Sequence, residues 1–370
     1  MRILYDGNIY GLQANGGITR YFGSLISRLP ADFDISLVVG RASNPNYPSH
    51  PNLKVFESDK FRRIPGSYRL SLYYSRLRNH LAHVALTRKH FDVFHPTYYS
   101  LLSGQSISSY RFPVVLTVWD MIHELFPVTM DPTGAHAAEK KKAILAAQKI
   151  ICISENTKKD LLERYAIPES RVAVTYLASE IDATLSYGPE PIPSRPYYLY
   201  VGSRARYKNF DGLLNAFSKV VSTCPDLALC IVGSPLNEME EKLITNLKLS
   251  DHTAHFGQVS DNHLAKLYRC SIALVYPSLY EGFGLPPLEA MACGTVAVVS
   301  NVSSLPEIVG TAGVLFDPSR VDELVDILLS LPDDPTRREK LIVAGQQHRR
   351  EFSWAKTVAE TIDVYRSVGE

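Results

Sequence analysis

The sequence predicts an α/β protein built from two doubly wound domains, each with a parallel sheet. Short apolar segments rich in β-branched residues recur along the chain, and stretches with helical spacing separate most of them. These segments do not alternate with polar residues, which is typical of strands buried on both faces. The pattern stops at residues 187–196, where four prolines and a glycine predict a stiff linker, and then starts again. Because ligands bind at the carboxyl ends of parallel strands, we expect the domains to face each other across a ligand-binding cleft.

The two halves of the chain each contain six predicted strands. In the first half they lie at residues 2–6, 35–40, 91–95, 114–120, 149–154 and 171–177. In the second half they lie at residues 197–202, 227–233, 253–257, 272–277, 296–300 and 314–317. The predicted domains are therefore residues 1–188 and 189–351. The last segment, 352–370, has apolar residues at helical spacing and is expected to pack back toward the first domain.

The composition is that of a globular protein and excludes several classes of function. The 370 residues include 39 Lys and Arg against 38 Asp and Glu, so the net charge of +1 argues against dedicated nucleic-acid binding. No apolar run is long enough to span a bilayer, and Asp6 interrupts the place where a signal peptide would be apolar. The five cysteines lack the spacing of a disulfide framework or a zinc site. We therefore expect a cytoplasmic protein without a cofactor.

The segment 281–294 carries the densest chemical signal. It follows an apolar predicted strand and combines Glu281, Gly282, Phe283, Gly284, Leu285 and Glu289 with two prolines. Glycines allow the main chain to approach a ligand closely, and the amides at a helix start suit a phosphate. The two carboxylates would repel a phosphate and therefore suit sugar or ribose hydroxyls. The alternative is a tight loop that caps an ordinary helix, with Glu289 in solvent.

The spacing of Glu281 and Glu289 resembles the Glu-x7-Glu motif of family 4 retaining glycosyltransferases, and the resemblance extends over essentially the whole chain. It implies the GT-B fold, in which two Rossmann-like domains face each other across a cleft. It also implies that Glu281 binds the hydroxyls of a donor sugar, and that Glu289 either binds the ribose or stabilises the loop where it joins the helix. The loop residues Gly282, Phe283, Gly284 and Leu285 would then bind the donor.

A second segment, 200–210, places three cations in a short loop after a predicted strand. Arg204, Arg206 and Lys208 suit a diphosphate, although the alternative is a basic turn in solvent. Lys208 and the next residue match an element of the family. Ser203 departs from it, because many members have arginine there, so either Arg204 or Arg206 takes that place. We expect Lys208 and Arg204 to stabilise the leaving diphosphate.

Further donor contacts are implied by the resemblance at two other places. The segment around Val259 is similar to the family segment whose main chain meets the nucleotide base. Gly16 and Gly17 resemble the first-domain glycine loop that covers the donor phosphates, although a plain helix start is the alternative. The pair Asp32 and Asp34 is typical of metal-dependent sugar transferases of another fold, but it directly precedes a predicted strand, away from the expected cleft, and is interpreted as a turn in solvent. We therefore expect a metal-independent mechanism.

The acceptor side is expected in the first half. Asp120 follows a predicted strand and can accept a hydrogen bond from a sugar hydroxyl, which makes it a catalytic candidate. Many members have histidine where this chain has Trp119, so the role of that imidazole does not carry over. His95 and His123 are weaker candidates, since a lone histidine is more often structural. Ser154 resembles a family element near the acceptor, but could simply cap a helix.

The segment 60–90 predicts a membrane contact. It contains eight Lys and Arg, interleaved with tyrosines and leucines, and no Asp or Glu. Such a stretch can lie on an anionic membrane near a lipid-diphosphate acceptor, and a solvated helix face is the equal alternative. On the first interpretation, we expect a cytoplasmic protein that attaches peripherally to the inner face of the plasma membrane through residues 60–90.

Together these features predict a retaining, metal-independent hexosyltransferase that uses a nucleotide diphosphate sugar. The acceptor would be a saccharide or a lipid-linked saccharide in surface-polysaccharide synthesis. By its resemblance to bacterial surface-polysaccharide members, GDP-mannose is the first expectation for the donor, and UDP- or dTDP-linked sugars remain open. The rival hypotheses are a sugar-nucleotide epimerase on the same fold and a non-catalytic saccharide-binding subunit.

Overall fold

The computed structural model describes residues 1–13, 16–40, 47–58, 90–185 and 188–368. The strands are β1 (Arg2–Asp6), β2 (Asp34–Gly40), β3 (Leu53–Ser58), β4 (Val93–Pro96), β5 (Val115–Val118), β6 (Lys149–Cys152), β7 (Val172–Val174), β8 (Tyr197–Val201), β9 (Ala228–Val232), β10 (Thr253–Gly257), β11 (Ala273–Tyr276), β12 (Val296–Ser300) and β13 (Val314–Phe316). The helices are α1 (Ile9–Leu12), α2 (Gly17–Ser27), α3 (Ile122–Leu125), α4 (Pro127–Met130), α5 (Ala135–Ala146), α6 (Glu155–Arg164), α7 (Phe210–Thr223), α8 (Glu238–Asn246), α9 (Asp261–Cys270), α10 (Leu285–Ala292), α11 (Leu305–Val309), α12 (Val321–Ser330), α13 (Pro335–His348) and α14 (Trp354–Arg366).

The chain forms two compact units. The first contains Met1–Leu177 together with Trp354–Glu370, and the second contains Ala178–Ser353. The first boundary thus precedes the predicted one at 188/189. The reason is that the segment after Leu177 is bonded to the second unit, where the Ala183 amide donates to the Ala292 carbonyl at 3.2 Å. The boundary between the two units is therefore determined by hydrogen bonds and does not coincide with the proline-rich segment.

The first unit contains a parallel sheet in the order β3-β2-β1-β4, followed by β5-β6-β7. A parallel bridge between Phe94 and Val114 joins the two parts. The six strands predicted for this half are confirmed, whereas β3 was not predicted. It is an edge strand in which Lys54, Val55 and Glu57 are exposed, so it lacks the apolar run that reveals a strand buried on both faces.

The second unit contains a six-stranded parallel sheet in the order β10-β9-β8-β11-β12-β13. Counted within the unit, this is the 3-2-1-4-5-6 order of a Rossmann sheet, with its topological switch between β8 and β11. Every residue of β8 is buried, as the absence of polar alternation predicts. Leu213, Phe217 and Val220 form the buried stripe of α7 against this core. The carboxyl ends of β8 and β11 are therefore the expected ligand edge.

The segment that is predicted to contact a membrane is not described by the structure. Residues 60–89 of the segment 60–90 lie outside the described residues. Within the described ranges, no helix combines the length and the apolar character that crossing a membrane requires.

Candidate active site

Three neighbouring strands of the second unit each lead into a glycine at their carboxyl ends. Gly202, Gly233 and Gly257 have φ angles of +137°, +149° and +66°, which side-chain-bearing residues rarely adopt. A Cβ at Gly233 would lie 2.4 Å from the Gly202 carbonyl oxygen, whereas one at Gly202 or Gly257 would meet nothing within 4 Å. Main-chain surface is therefore open to close approach at this edge of the sheet.

Lys208 and Glu281 form an ion pair beside this edge. The Lys208 Nζ lies 2.6 and 2.9 Å from the two Glu281 carboxylate oxygens and 3.0 Å from the Tyr276 hydroxyl. The two charged side chains are only 13% and 9% exposed. Lys208 ends the short turn after β8, Tyr276 ends β11, and Glu281 lies in the loop before α10. The topological switch thus brings together residues that are 73 positions apart in sequence.

The charge state of this cluster follows from its burial and its partners. Burial opposes the charge of Lys208, but the Glu281 carboxylate, followed by the hydroxyl groups of Tyr276 and Tyr207, raises its pKa well above the ordinary value. Burial, followed by the Glu281 charge, raises the pKa of Tyr276. The cluster therefore contains an ammonium, a carboxylate and a neutral phenol. The ammonium also lies 5.2 and 5.3 Å from the centres of the Tyr207 and Tyr276 rings.

Two serines hold the loop that carries Glu281. The Glu281 amide donates to the Ser303 hydroxyl at 2.9 Å, and the Ser304 hydroxyl donates to the carbonyls of Glu281 at 3.0 Å and Phe283 at 2.6 Å. Both serines immediately precede α11. Sequence reasoning missed them, as it missed Tyr276, because small polar residues near a helix start occur in many proteins. Their function is to fix the main chain of the loop.

Helix α10 begins directly after this loop. Gly284 has a φ of +119°, and a Cβ there would lie 2.9 Å from the Leu305 side chain. Leu285 and the prolines that follow it start the helix. Pro286 and Pro287 have no N–H, so the Leu285 amide is the main-chain donor that the first three helical positions offer to an anion at the positive end of the helix dipole. Gly282 and Phe283, which precede Gly284 in the loop, are buried.

Glu289, one turn into α10, is buried inside the second unit. Its Oε2 accepts a hydrogen bond from the Tyr268 hydroxyl at 2.9 Å, and its Oε1 lies 3.4 Å from the Ser179 hydroxyl. Burial, together with the Glu289 charge, raises the pKa of Tyr268 well above the ordinary value. The alternative of a solvated Glu289 is therefore wrong, and the contact predicted with a ribose stays a prediction.

The arginines of the second motif have different surroundings. Arg204 donates through Nη2 to the carbonyls of Ser234 and Pro235 at 2.8 and 2.6 Å, and its Nε lies 2.9 Å from the Glu240 carboxylate. Arg206 is exposed, and both arginines line a pocket of about 790 Å³. The structure therefore fixes the guanidinium of Arg204 by protein contacts, while its predicted role toward a diphosphate stays a prediction.

The remaining donor candidates lie at the ends of elements in each unit. Ser203 is exposed, and its carbonyl accepts a hydrogen bond from the Tyr200 hydroxyl at 2.7 Å. Val259 is half-buried just after β10. In the first unit, Gly16 is the cap residue of α2 and Gly17 is its first residue, so a helix N-terminus is present there as expected.

Asp120 follows β5 in the first unit and is partly exposed. Its Oδ1 accepts a hydrogen bond from the Ile122 amide at 3.0 Å. Lys140, which sequence reasoning missed, donates to the main-chain carbonyl of Asp120 at 2.9 Å and to Glu124 at 2.8 Å. Trp119 is buried, and its ring packs edge-on against Tyr21 at 5.1 Å. Trp119 therefore anchors the turn that presents Asp120.

His123 lies beside a second histidine that the sequence did not indicate. The rings of His123 and His136 are 4.2 Å apart, and neither Nδ1 has a hydrogen-bond partner among the described residues. Burial, Lys140 and His136 lower the pKa of His123, so its ring is neutral near pH 7. The Tyr98 hydroxyl lies 3.3 Å from the His136 Nε2. The surroundings of Asp120 are therefore polar and aromatic.

Two of the weaker acceptor-side candidates have structural roles. His95 is fully buried, and its ring nitrogens lie 2.7 Å from the Tyr365 hydroxyl and 2.9 Å from the Thr117 hydroxyl. Because both nitrogens are used inside the unit, we assign His95 to packing rather than to an acceptor. Ser154 accepts a hydrogen bond from the Thr157 amide at 3.0 Å and caps α6, as the alternative reading expected.

Within the described residues, no group of three or more His, Cys, Asp or Glu side chains could hold a metal ion.

Comparison with known proteins identifies relatives of both halves. A family model described as Glycosyltransferase Family 4 matches residues 15–180, and one described as Glycosyl transferases group 1 matches residues 189–348. O-antigen chain mannosyltransferase B from Escherichia coli is 33% identical over 234 residues, which are 60% of this chain and 61% of that protein. MMP alpha-(1->4)-mannosyltransferase from Mycolicibacterium hassiacum is 30% identical over 300 residues, 75% of this chain and 71% of that protein. The match thus spans about three fifths of the E. coli relative.

Solved structures share the fold over nearly the whole chain. A sucrose-phosphate synthase from Thermosynechococcus elongatus has a TM-score of 0.73 at 22% identity and covers 100% of this chain and 99% of its own. HepE from Anabaena, in complex with UDP-glucose, has a TM-score of 0.75 at 18% identity and covers 99% of this chain and 100% of its own. The fold is therefore the predicted GT-B fold with two Rossmann-like domains. With a relative matched over 71% of its length at 30% identity and a family model matching each half, this chain belongs to the family 4 glycosyltransferases.

Proposed function

We propose that this glycosyltransferase moves a hexose, with retention at the anomeric carbon and without a metal ion, from a nucleotide diphosphate donor to a saccharide or lipid-linked saccharide. GDP-mannose is the first candidate donor, and surface-polysaccharide synthesis is the proposed context. The names of the E. coli and M. hassiacum relatives, both mannosyltransferases, support mannose. The UDP-glucose bound to HepE makes UDP-glucose the second candidate.

The observation that carries the proposal is the buried Lys208–Glu281 pair beside the start of α10. Departure of a nucleotide diphosphate builds negative charge on its oxygens, and fixed positive groups that stabilise this charge lower the barrier. Lys208 and the Leu285 amide at the start of α10 supply such groups from rigid elements. Glu281 accepts hydrogen bonds only, which suits the hydroxyls of the donor sugar. Here the cations of the protein take the role that a metal ion has in other sugar transferases.

The proton of the acceptor hydroxyl needs a destination. Asp120 is positioned by the Ile122 amide, and a hydrogen bond from that hydroxyl to its carboxylate would orient the attacking oxygen before the proton leaves. We propose front-face attack, in which the departing phosphate oxygen takes the proton while the new bond forms on the same face of the sugar. A double displacement would need a nucleophile on the opposite face, and the sequence offers no clear candidate for it.

The first experiment is a thermal-shift titration in EDTA with GDP-mannose, UDP-glucose, UDP-N-acetylglucosamine and dTDP-rhamnose. A donor at about 100 times its Kd adds roughly 2.7 kcal/mol to the free energy of unfolding of the unit that binds it. We expect one donor to stabilise the wild type and to lose this effect in Lys208→Ala. Lys219→Ala is the matched control, since the Lys219–Asp322 pair is exposed in the same unit.

The outcomes separate the rival functions. Transfer to an acceptor in EDTA by the donor that stabilises the protein supports the proposal. Conversion of the donor to its epimer without any acceptor would favour the epimerase. Saccharide binding without a response to any nucleotide sugar would favour the non-catalytic subunit. A loss of transfer in EDTA that Mg²⁺ restores would contradict metal independence.

A further inference from the structure

A buried ammonium group contacts the turn that carries Asp120. The Lys140 side chain has no solvent exposure, and the proposed function does not use it. Its Nζ lies 2.8 Å from a Glu124 carboxylate oxygen, 2.9 Å from the Asp120 carbonyl and 3.8 Å from the Asp120 carboxylate. A buried charge is unfavourable unless it is paired and hydrogen-bonded, so the three contacts account for its presence.

These contacts connect three separate elements. Lys140 lies in α5, Glu124 in α3, and Asp120 in the turn after β5. The second Glu124 oxygen accepts a hydrogen bond from the Tyr165 hydroxyl at 3.0 Å, which orients the carboxylate. Lys140 also lies 5.4 Å from the centre of the Tyr99 ring. The ammonium is therefore held on several sides, and it binds the Asp120 turn through main chain as well as side chain.

We propose that Lys140 is a positioning residue, which fixes the turn at Trp119 and Asp120 and so directs the Asp120 carboxylate toward the acceptor hydroxyl. The inference rests on the role proposed for Asp120. Glu124 contributes to the same positioning, because its carboxylate neutralises the ammonium that binds the main-chain carbonyl of Asp120. Misplacement of a reacting group by about 1 Å can lower a rate 100-fold, so a device that holds this turn affects catalysis without touching substrate.

The test removes both charges together and keeps the volume. Replacing a buried pair by apolar residues of similar size is often neutral for stability, whereas removing one partner is not. We therefore choose Lys140→Met with Glu124→Leu. The matched control is Lys158→Met with Glu169→Leu, which removes a 2.8 Å pair of the same unit that solvent reaches. All proteins also carry Trp354→Phe, which leaves Trp119 as the single tryptophan of the chain.

Two readouts respond to positioning and not to stability alone. We expect the Lys140/Glu124 variant to shift the Trp119 emission to the red and to increase acrylamide quenching about twofold. Transfer should fall by 10-fold or more, with the donor Kd unchanged because Lys208 and Glu281 are intact. In an Asp120→Asn background the additional loss should shrink to less than about threefold, since both changes act through one carboxylate. The control pair should change none of these.

Other outcomes overturn the inference. Unchanged Trp119 emission, or an equal loss of transfer with and without Asp120→Asn, would mean that the pair only stabilises the fold. If the double variant does not fold, Glu124→Gln, which keeps the volume and the hydrogen-bonding groups, must show a smaller change of emission in the same direction. If the wild type transfers no sugar, the proposed function fails, while the Trp119 emission still decides whether Lys140 holds the turn.

Discussion

Lys208 has three N–H donors, and the structure provides an acceptor for each of them. Two are oxygens of Glu281 and one is the Tyr276 hydroxyl. A phosphate oxygen that binds Lys208 must therefore replace one of these acceptors. The exchange of Lys208 between Glu281 and a diphosphate would release carboxylate lone pairs for sugar hydroxyls. We therefore expect the contacts of the Lys208–Glu281 pair to rearrange when a donor binds.

The first prediction concerns Glu281→Gln and the pH dependence of donor binding. In the wild type the pKa of Lys208 lies well above its ordinary 10.5, so the pair stabilises the fold below pH 10.5 and this contribution is lost as pH rises through the raised pKa. Without the carboxylate, burial, which lowers the pKa of Lys208, is opposed only by the two tyrosines, so the pKa falls. We expect donor affinity in the variant to fall between pH 7 and 10, where the wild type stays constant, as measured by calorimetric titration.

Asp322→Asn is the control for this measurement, because it removes the carboxylate of an exposed pair in the same unit. Parallel pH profiles for Glu281→Gln and the wild type would show that Glu281 does not maintain the charge of Lys208.

The second prediction concerns His95 and acid stability. Burial lowers the pKa of His95 to about 3, so the neutral ring is favoured in the fold and its contribution is lost as pH falls from 6.5 toward 3. Between pH 7 and pH 5 this group alone should remove about 2 kcal/mol from the free energy of unfolding of the first unit. His95→Gln should be less stable at pH 7 but should show a flatter pH dependence.

Tryptophan fluorescence during urea unfolding measures this effect. The chain has two tryptophans, Trp119 and Trp354, and both lie in the first unit. An unchanged slope of stability against pH in His95→Gln would contradict the assignment of His95 to the packed core.

At the scale of elements, the start of α10 depends on a single glycine. Gly284 combines a φ of +119° with a position where a Cβ would lie 2.9 Å from the Leu305 side chain in α11. The same loop is hydrogen-bonded by Ser303 and Ser304, which precede α11. The conformation of the loop, and with it the position of Glu281, is therefore determined by two helices.

The third prediction is that Gly284→Ala weakens both the fold and donor binding. A residue other than glycine with such a φ costs of order 1–3 kcal/mol, and the contact with Leu305 shifts the loop in addition. We expect a lower Tm of the second unit and at least a 10-fold higher donor Kd. Gly134→Ala is the control, because Gly134 also has a positive φ but a Cβ there meets nothing within 4 Å. Unchanged donor affinity in Gly284→Ala would contradict the role of the loop.

At the scale of the molecule, the last helix completes a unit that begins with the first strand. The Tyr365 hydroxyl in α14 lies 2.8 Å from that of Tyr5 in β1 and 2.7 Å from the His95 ring in β4. Thr357 of the same helix donates to the Tyr176 carbonyl at 2.8 Å. The first unit is therefore formed by two separate segments of the sequence, and the second unit is the continuous segment that lies between them.

The fourth prediction is that removal of residues 354–370 unfolds the first unit only. The helix buries Val358, Ile362, Val364 and Tyr365, each of which contributes about 1.5–3 kcal/mol. The sum is comparable to the whole stability of a typical domain. We expect the Trp119 emission to become that of an unfolded chain, while the donor still raises the Tm of the second unit. Removal of 367–370 alone is the control, and native Trp119 emission without α14 would contradict the prediction.

Comparison of sequence and structure shows which features are local. The strands of both sheets were predicted, apart from the exposed edge strand β3, because burial on both faces leaves a continuous apolar run in the sequence. Lys208, Glu281 and Gly284 were singled out by residue type and short spacing; the structure pairs the first two and gives Gly284 a positive φ, while their contacts with a donor stay predictions. These patterns extend over a few residues, so the sequence by itself determined the fold class and the family.

The partners of these residues depended on the tertiary structure. Tyr276, Ser303 and Lys140 have ordinary residue types in ordinary contexts, and they gain their roles only through contacts with distant elements. Tyr365 reaches His95 across 270 positions of the chain, and Leu177 ends the first unit because the next residues bond elsewhere. Hydrogen bonds and burial between distant segments leave no periodic trace in sequence. Only the folded chain therefore decided which polar groups are satisfied, which charges are paired and where one unit ends.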